Sequence, residues 1–154
     1  MNFSKITDDV FVGTTPGPGD FESLRQLGIR LVINMRLLLG HPPVHALSSM
    51  QYLRLRTFDS PLMPIPTSAL IRGARAALKV IGEGGIVYAH CSRGRHRSVA
   101  MAAAILIAQG LSAEDAIRLI KAQRPVADPE AAHIRPRIIE FGEIWLGQAT
   151  ADAT

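Results

Sequence analysis

Short apolar segments alternate with longer amphipathic ones along most of the chain. Apolar runs over residues 10–13, 30–35 and 86–89 predict buried β-strands, and the polar and apolar alternation over 51–57 predicts a half-exposed strand. Helical segments follow most of these strands. We therefore expect residues 1–154 to form one α/β domain, in which helices flank a central, mostly parallel sheet.

The helical pattern is clearest in the second half of the chain. The nearly all-apolar segment 98–109 predicts a central helix that Gly110 ends, and Ser112 with Asp115 forms a capping box for the next helix. Asp128 and Pro129 predict the start of a further helical stretch. The other predicted elements are a short helix capped by Asp20, an irregular loop over 41–49, a helix capped by Thr67 or Ser68, and a last helix that Pro136 divides from the stretch before it.

The composition suits a folded domain without disulfides. Hydrophobic residues make up 47% of the 154 residues and charged residues 19%, which argues against disorder. The longest apolar run, 99–108, falls short of the ~20 residues of a membrane-spanning helix. Residues 1–9 lack the apolar segment of a secretory signal, so we expect a cytoplasmic protein. One cysteine allows no internal disulfide, and no set of Cys and His has the spacing of a zinc module.

The charge pattern gives little information about partners. There are 17 basic and 13 acidic residues, a net charge of +4, and the arginines are spread along the chain rather than gathered in one run. No polybasic tail or amphipathic membrane-binding helix stands out. We therefore expect no nucleic-acid partner and no integral membrane association, and we expect a monomer.

The informative segment is 90–98, with the sequence HCSRGRHRS. It follows a predicted buried strand and leads into a helix, a position where successive backbone N–H groups and the helix dipole attract an anion. Gly94 allows a tight turn, and Arg97 can present two N–H groups to phosphate oxygens. The segment therefore predicts a loop that binds a phosphate or a similar oxyanion.

Cys91 lies at the start of this loop. The field that binds an anion also stabilises a thiolate, so we expect a lowered pKa and a nucleophilic sulfur beneath a bound phosphorus atom. The hydroxyl of Ser98 can cap the helix, or donate to the sulfur and help it leave. His90 is expected to orient the loop rather than to carry a proton.

These residues resemble the signature of the cysteine-dependent protein tyrosine phosphatases, and in particular their dual-specificity branch. The segment 29–36 is similar to the family's strand pattern Ile-x-x-Val-x-Asn-x-Arg, and Asp59 lies 32 positions before Cys91, where the family has a general acid. The family's Gly-x-Ser-x-x-x-Ala and Arg-Pro run is matched by Gly110, Ser112, Ala116, Arg124 and Pro125. The matches extend from about Val10 to Trp145.

The resemblance implies a role for each matching residue. Cys91 would attack phosphorus to form a cysteinyl-phosphate, Asp59 would protonate the leaving oxygen and then activate water, and Ser98 would assist the sulfur. Neither a metal nor another cofactor is needed. The residues expected to bind the substrate phosphate are Ser92, Arg93, Gly94, Arg95, His96 and Arg97.

Other classes of protein also bind an oxyanion in a loop of this kind. A non-catalytic phosphate-binding module would not need Cys91, Arg97 and Asp59 together. Low-molecular-weight phosphatases and arsenate reductases place the cysteine near the N-terminus, and rhodanese-like sulfurtransferases have no use for Asp59. A phosphoinositide or phosphatidylglycerophosphate phosphatase with the same mechanism stays open, because Arg93, Arg95 and His96 make the loop basic.

Overall fold

The computed structural model describes residues 1–153 as one α/β domain. The strands are β1 (Phe3–Lys5), β2 (Val10–Thr14), β3 (Ile29–Asn34), β4 (Gln51–Arg54) and β5 (Ile86–Cys91). The α-helices are α1 (Asp20–Gln26), α2 (Thr67–Gly82), α3 (Arg97–Ala108), α4 (Ala113–Gln123) and α5 (Arg135–Asp152), with a short 3-10 helix at Val44–Ser48.

The five strands form one mixed sheet in the order β1-β2-β5-β3-β4. The strands β2, β5, β3 and β4 are parallel, and only the edge strand β1 runs antiparallel to its neighbour β2. This arrangement confirms the expected α/β class and the mostly parallel sheet. Since parallel strands end at the same edge, Thr14, Asn34 and Cys91 reach that edge together, where α/β folds place their binding sites.

The helices divide between the two faces of the sheet. The larger core lies on the face covered by α2, α3, α4 and α5, whereas α1 and the 3-10 helix cover a smaller cluster around Phe21 and Tyr88. The helix α3 is surrounded by α2, α4, α5 and the sheet, and all its residues from Arg97 to Ile107 are buried. This packing fixes the N-terminus of α3 at the end of β5.

The predicted helix at Asp128 is wrong. Residues 124–134 form turns, and the backbone N–H of Asp128 donates to the carbonyl of Arg95 at 3.0 Å. Pro136 does not divide two helices but lies in the first turn of α5, where a missing N–H breaks no helical hydrogen bond. A tertiary contact with the 91–97 loop therefore takes the place of a local helix.

Smaller differences concern the ends of elements. Strand β4 ends at Arg54 instead of 57, and β1 and the 3-10 helix were not predicted. Gly19, not Asp20, is the N-cap of α1, and Pro66 precedes α2 without a side-chain cap. The cap at Ser112 is confirmed, because its hydroxyl accepts from the N–H of Asp115 at 3.1 Å.

No helix within 1–153 combines the length and the apolar character that crossing a bilayer requires.

Candidate active site

The loop that follows β5 connects Cys91, the last residue of that strand, to Arg97, the first residue of α3. Gly94 lies at its midpoint with a φ of +61°, a conformation that residues with a side chain rarely adopt. A Cβ atom at this position would lie 2.7 Å from the backbone of Gly13 and 2.7 Å from the guanidinium of Arg124. Only glycine therefore allows the loop to pack this closely against β2.

The loop carbonyls point outward and are bound from outside. Arg124 donates from Nε to the carbonyl of Gly94 at 2.7 Å and from a terminal nitrogen to the carbonyl of Arg93 at 3.4 Å. The carbonyl of Arg95 accepts from the N–H of Asp128. In the part of the chain that the structure describes, the backbone N–H groups of residues 93–96 form no hydrogen bond to a backbone carbonyl. The N–H of Arg95 interacts with the sulfur of Cys91, and the N–H groups of Arg93, Gly94 and His96 are available to an anion.

The sulfur of Cys91 is buried beneath this loop, with 2% of the residue exposed. Burial alone would raise the pKa of the thiol. The hydroxyl of Ser98, which lies 3.2 Å from the sulfur, the N–H groups of Ser98 and Arg95, and the charge of Arg97 together outweigh burial and lower that pKa. The arrangement favours a thiolate at the base of the loop.

Arg97 is nearly buried, and its side chain is bound by the segments that follow β3 and β4. Its guanidinium donates to the carbonyls of Met35 at 3.1 Å and Thr57 at 2.8 Å, and the hydroxyl of Thr57 donates to the same Met35 carbonyl at 2.6 Å. The Nε of Arg97 is buried and has no partner among residues 1–153. A buried donor without a hydrogen-bond partner destabilises the folded protein, and an anionic ligand that accepts from this N–H would remove that cost.

The carboxylate of Asp59 lies above the loop between two histidines. One oxygen is 2.7 Å from Nε2 of His133, and the other is 3.1 Å from Nδ1 of His96. Partial burial raises the pKa of Asp59, but the hydrogen bonds from His133 and His96 and the charges of His96 and Arg97 outweigh burial and lower it. Asp59 is therefore ionised at neutral pH before substrate binds.

The predicted site residues do not all face one cavity. A cavity of about 270 Å³ is lined by Asp59, Cys91, Ser92, Arg93, Arg95 and His96. Gly94 packs against Gly13 of β2, and the hydroxyl of Ser98 contacts the sulfur of Cys91. Neither residue lines this cavity. Arg97 lines a separate cavity of about 250 Å³ together with Arg36, Leu37, Leu38 and Leu39. Its charge nevertheless acts on both Cys91 and Asp59.

His90 is fully buried next to Cys91, and its ring stacks on Tyr88 with centroids 5.8 Å apart. Burial, followed by the charges of Arg36 and Arg54, lowers the pKa of His90 to about 3. The ring is therefore neutral at physiological pH. This agrees with a positioning role better than with proton transfer.

Several residues of the site were missed in the sequence. His133 contacts Asp59 from 74 positions away, and Thr57 binds the guanidinium of Arg97 only through its backbone carbonyl. No local pattern signals either contact. Arg124 was recognised only as part of the Arg-Pro match, although this residue binds the loop carbonyls.

The comparison with family models settles the classification. Residues 10–143 match the model described as dual specificity phosphatase, catalytic domain. The chain belongs to this family. It is accordingly a phosphatase domain, as the resemblance in the sequence implied. The outer boundaries at 1 and 154 stay a prediction, because the match ends inside them.

Curated relatives agree with this family. Dual specificity phosphatase 28 from Homo sapiens is 30% identical over 131 residues, which cover 81% of this chain and 69% of that protein. The Mus musculus protein of the same name is 29% identical over 133 residues, covering 82% and 76%. Phosphatidylglycerophosphatase and protein-tyrosine phosphatase 1 from Homo sapiens is 40% identical over 106 residues, covering 68% of this chain and 49% of that protein.

Solved structures of dual specificity phosphatases share the fold. A crystal structure of human DUSP28 has a TM-score of 0.82 and 25% identity, and the alignment covers 94% of this chain and 99% of that one. PTPMT1 in complex with PI(5)P has a TM-score of 0.80 and 29% identity, with 99% of each chain covered. The α/β architecture described above is therefore the architecture of this family.

We predict that Arg124 positions the loop at 91–97, called the phosphatase loop below. Replacing it in Arg124→Met leaves the carbonyls of Arg93 and Gly94 unbound, so we expect a loss of about 1–3 kcal/mol in the free energy of unfolding. Misalignment of the inward N–H groups should raise the pKa of Cys91 and lower kcat/KM by about tenfold or more. The measurements are thermal unfolding, kinetics, and the pH dependence of alkylation of Cys91 by iodoacetate.

The matched control is Arg118→Met, which removes an exposed arginine of α4 that is paired with Asp115. It should change stability by less than about 0.5 kcal/mol and leave the alkylation profile in place. If Arg124→Met loses stability but alkylates Cys91 with the wild-type pH profile, Arg124 has only a structural role.

Proposed function

We propose that this phosphatase removes phosphate from phosphotyrosine, and also from phosphoserine and phosphothreonine, through a cysteinyl-phosphate. The observation that carries the proposal is the stabilised sulfur of Cys91 beneath a loop with free inward N–H groups. The substrate phosphate would occupy the cavity above the sulfur, with its oxygens bound by those N–H groups and by the guanidinium of Arg97.

The proposed reaction has two steps. In the first, the Cys91 thiolate forms a bond to phosphorus while the ester P–O bond breaks, and Asp59 gives its proton to the departing oxygen. In the second, Asp59 takes a proton from water, the water oxygen bonds to phosphorus, and the S–P bond breaks to release inorganic phosphate. The hydroxyl of Ser98 donates to the leaving sulfur.

Asp59 has to be protonated for the first step, although it is ionised in the free protein. A phosphate ester bound next to the carboxylate adds negative charge, which raises the pKa of Asp59. Substrate binding would thus supply the change that turns an ionised carboxylate into a proton donor. The position of Asp59 in the lining of the same cavity as Cys91 supports this role.

We predict that Cys91→Ser abolishes turnover and leaves the fold and phosphate binding nearly intact. A hydroxyl of similar size preserves the loop, but serine does not ionise at neutral pH without an adjacent base. The assay is hydrolysis of an aryl phosphate, with unfolding temperature and calorimetric binding of inorganic phosphate as controls. Vanadate should inhibit the wild type reversibly and chelators should not. Turnover of the purified variant above a few per cent of wild type would exclude Cys91 as the nucleophile.

Asp59→Asn is predicted to lower kcat by about 100- to 10,000-fold, the usual contribution of a positioned general acid. The loss should shrink for phenols of low pKa, since these leave without a proton. The pH profile of kcat should lose its basic limb, which reports deprotonation of Asp59 in the complex with substrate. Asp8→Asn, on an exposed surface residue, is the matched control. An equal loss across the series of phenols would mean that Asp59 only positions the loop.

A lipid phosphatase is the second candidate, and a cavity next to the loop favours it. This cavity of about 690 Å³ has Ser92, Arg93 and Arg95 in common with the smaller one above Cys91. It is also lined by Lys121 and Arg124. A headgroup with a second phosphate could place that phosphate there. The relatives named for phosphatidylglycerophosphatase activity and for PI(5)P binding point in the same direction.

The phosphoprotein substrate stays our main proposal because much of this positive charge is already engaged. Arg95 lies 3.4 Å from the carboxylate of Asp128. Lys121 donates to the carbonyls of Pro125 and Ala127, and Arg124 binds the loop. Among the arginines and lysines of the larger cavity, Arg93 alone has no side-chain partner recorded in 1–153. The cytoplasmic location and the monomeric state stay predictions from the sequence.

Substrate class can be tested with Arg93→Ala and Arg95→Ala, assayed on a phosphotyrosine peptide and on a soluble phosphoinositide. We expect the wild type to prefer the peptide and each change to affect both substrates alike. Arg72→Ala removes one positive charge from the exposed side of α2 and serves as the control. A tenfold wild-type preference for the lipid, with a loss above ~1.4 kcal/mol of kcat/KM on the lipid alone, would make the lipid phosphatase correct.

A further inference from the structure

Asp59, His96 and His133 bring three potential metal ligands together at the mouth of the phosphatase cavity. One ligand atom from each of the three residues lies within 4.8 Å of the other two. They come from three separate segments: the loop before α2, the phosphatase loop, and the turns before α5. The convergence is therefore a product of the fold and has no counterpart in local sequence spacing.

The separations suit a small tetrahedral ion. Ligands at about 2.0–2.1 Å from Zn²⁺ lie about 3.3 Å from one another. The carboxylate oxygens of Asp59 lie 2.7 Å from Nε2 of His133 and 3.1 Å from Nδ1 of His96. The two histidines contact different oxygens of the carboxylate, and the three ligand atoms lie within 4.8 Å of one another, so binding would require the side chains to adjust around the ion.

The surroundings support ligation by His96. Its Nδ1 faces Asp59, while its Nε2 lies 3.8 Å from the carboxylate of Asp128. A metal-bound histidine commonly directs its other ring nitrogen to a carboxylate, which fixes the ring and makes it a better ligand. The rings of His96 and His133 also pack edge to face, with centroids 4.9 Å apart.

The charges and the partial exposure of these side chains suit reversible binding of a cation. Asp59 and Asp128 carry negative charge, and Arg95 is paired with Asp128 at 3.4 Å. The charge of Arg97 also acts on Asp59, which weakens the attraction of a cation and favours reversible binding. The side chains of Asp59, His96 and His133 are 35%, 21% and 18% exposed, which leaves a fourth position to water. Two imidazoles favour Zn²⁺ over Mg²⁺ or Ca²⁺, which prefer ligands that are all oxygen.

We propose that Asp59, His96 and His133 bind Zn²⁺, and that the bound ion reversibly inhibits the phosphatase by occupying the carboxylate of Asp59. The inhibition, though not the binding, rests on the role of Asp59 as proton donor in the proposed function. The ion is a regulator and takes no part in the hydrolysis. A chelator should therefore restore full activity to inhibited protein.

Binding is measured first, without reference to activity. Tag-free Cys91→Ser protein, which offers no thiolate, is titrated with Zn²⁺ by calorimetry, and we expect one ion per chain. His133→Gln should raise Kd by at least about tenfold, because glutamine keeps a hydrogen bond to Asp59 but is a poor zinc ligand. His45→Ala, on the exposed 3-10 helix, should bind zinc like its parent. Absent binding, or binding that His133→Gln leaves unchanged, would overturn the site.

Co²⁺ absorption identifies the ligands in the wild-type chain. A tetrahedral spectrum without a sulfur charge-transfer band supports the site, whereas a strong band of this kind would place the ion on Cys91 and overturn it. Activity with an aryl phosphate is then measured at increasing Zn²⁺. We expect wild type and His45→Ala to be inhibited alike and His133→Gln to require at least about tenfold more zinc. Zinc bound at Asp59 without inhibition would overturn the inhibition and would count against Asp59 as the acid.

Discussion

The phosphatase loop binds an anion only if its carbonyl groups are turned away from the cavity. Arg124 meets this condition, because its guanidinium binds the carbonyls of Arg93 and Gly94 from the outer side. Backbone N–H groups of the loop then stabilise the sulfur of Cys91, and in the proposed mechanism they would also bind an oxyanion above it. A buried cation behind the loop is thus the interaction on which the chemistry in front of it depends.

The fold supports this interaction from both sides. The helix α3 is surrounded by other helices and by the sheet, so its N-terminus cannot shift without disturbing the core. On the other side, Gly94 lacks a side chain where β2 and the loop meet, and a Cβ there would collide with the backbone of Gly13. Gly94 and Arg124 therefore set the distance between the strand and the loop.

The sequence allowed the fold class to be predicted and the loop at 91–97 to be located between a strand and a helix, because these depend on local patterns. The strand before Cys91, the turn at Gly94 and the buried helix after Arg97 are neighbours along the chain. The contacts of Asp59 with His133, and of Arg97 with the carbonyl of Met35, join residues 74 and 62 positions apart. Such contacts arise only when separate loops meet, so periodicity and spacing do not reveal them.

The environment of Asp59 imposes a compromise on the active site. The histidines that fix the carboxylate above the cavity also keep it ionised, which opposes its use as a proton donor. In the mechanism proposed above, a bound phosphate ester would reverse this balance through its negative charge, whereas a cation at the proposed zinc site would strengthen it. Substrate and metal ion would then act on the same carboxylate in opposite directions. A bound ion would therefore compete with protonation of Asp59, whichever phosphate ester is hydrolysed.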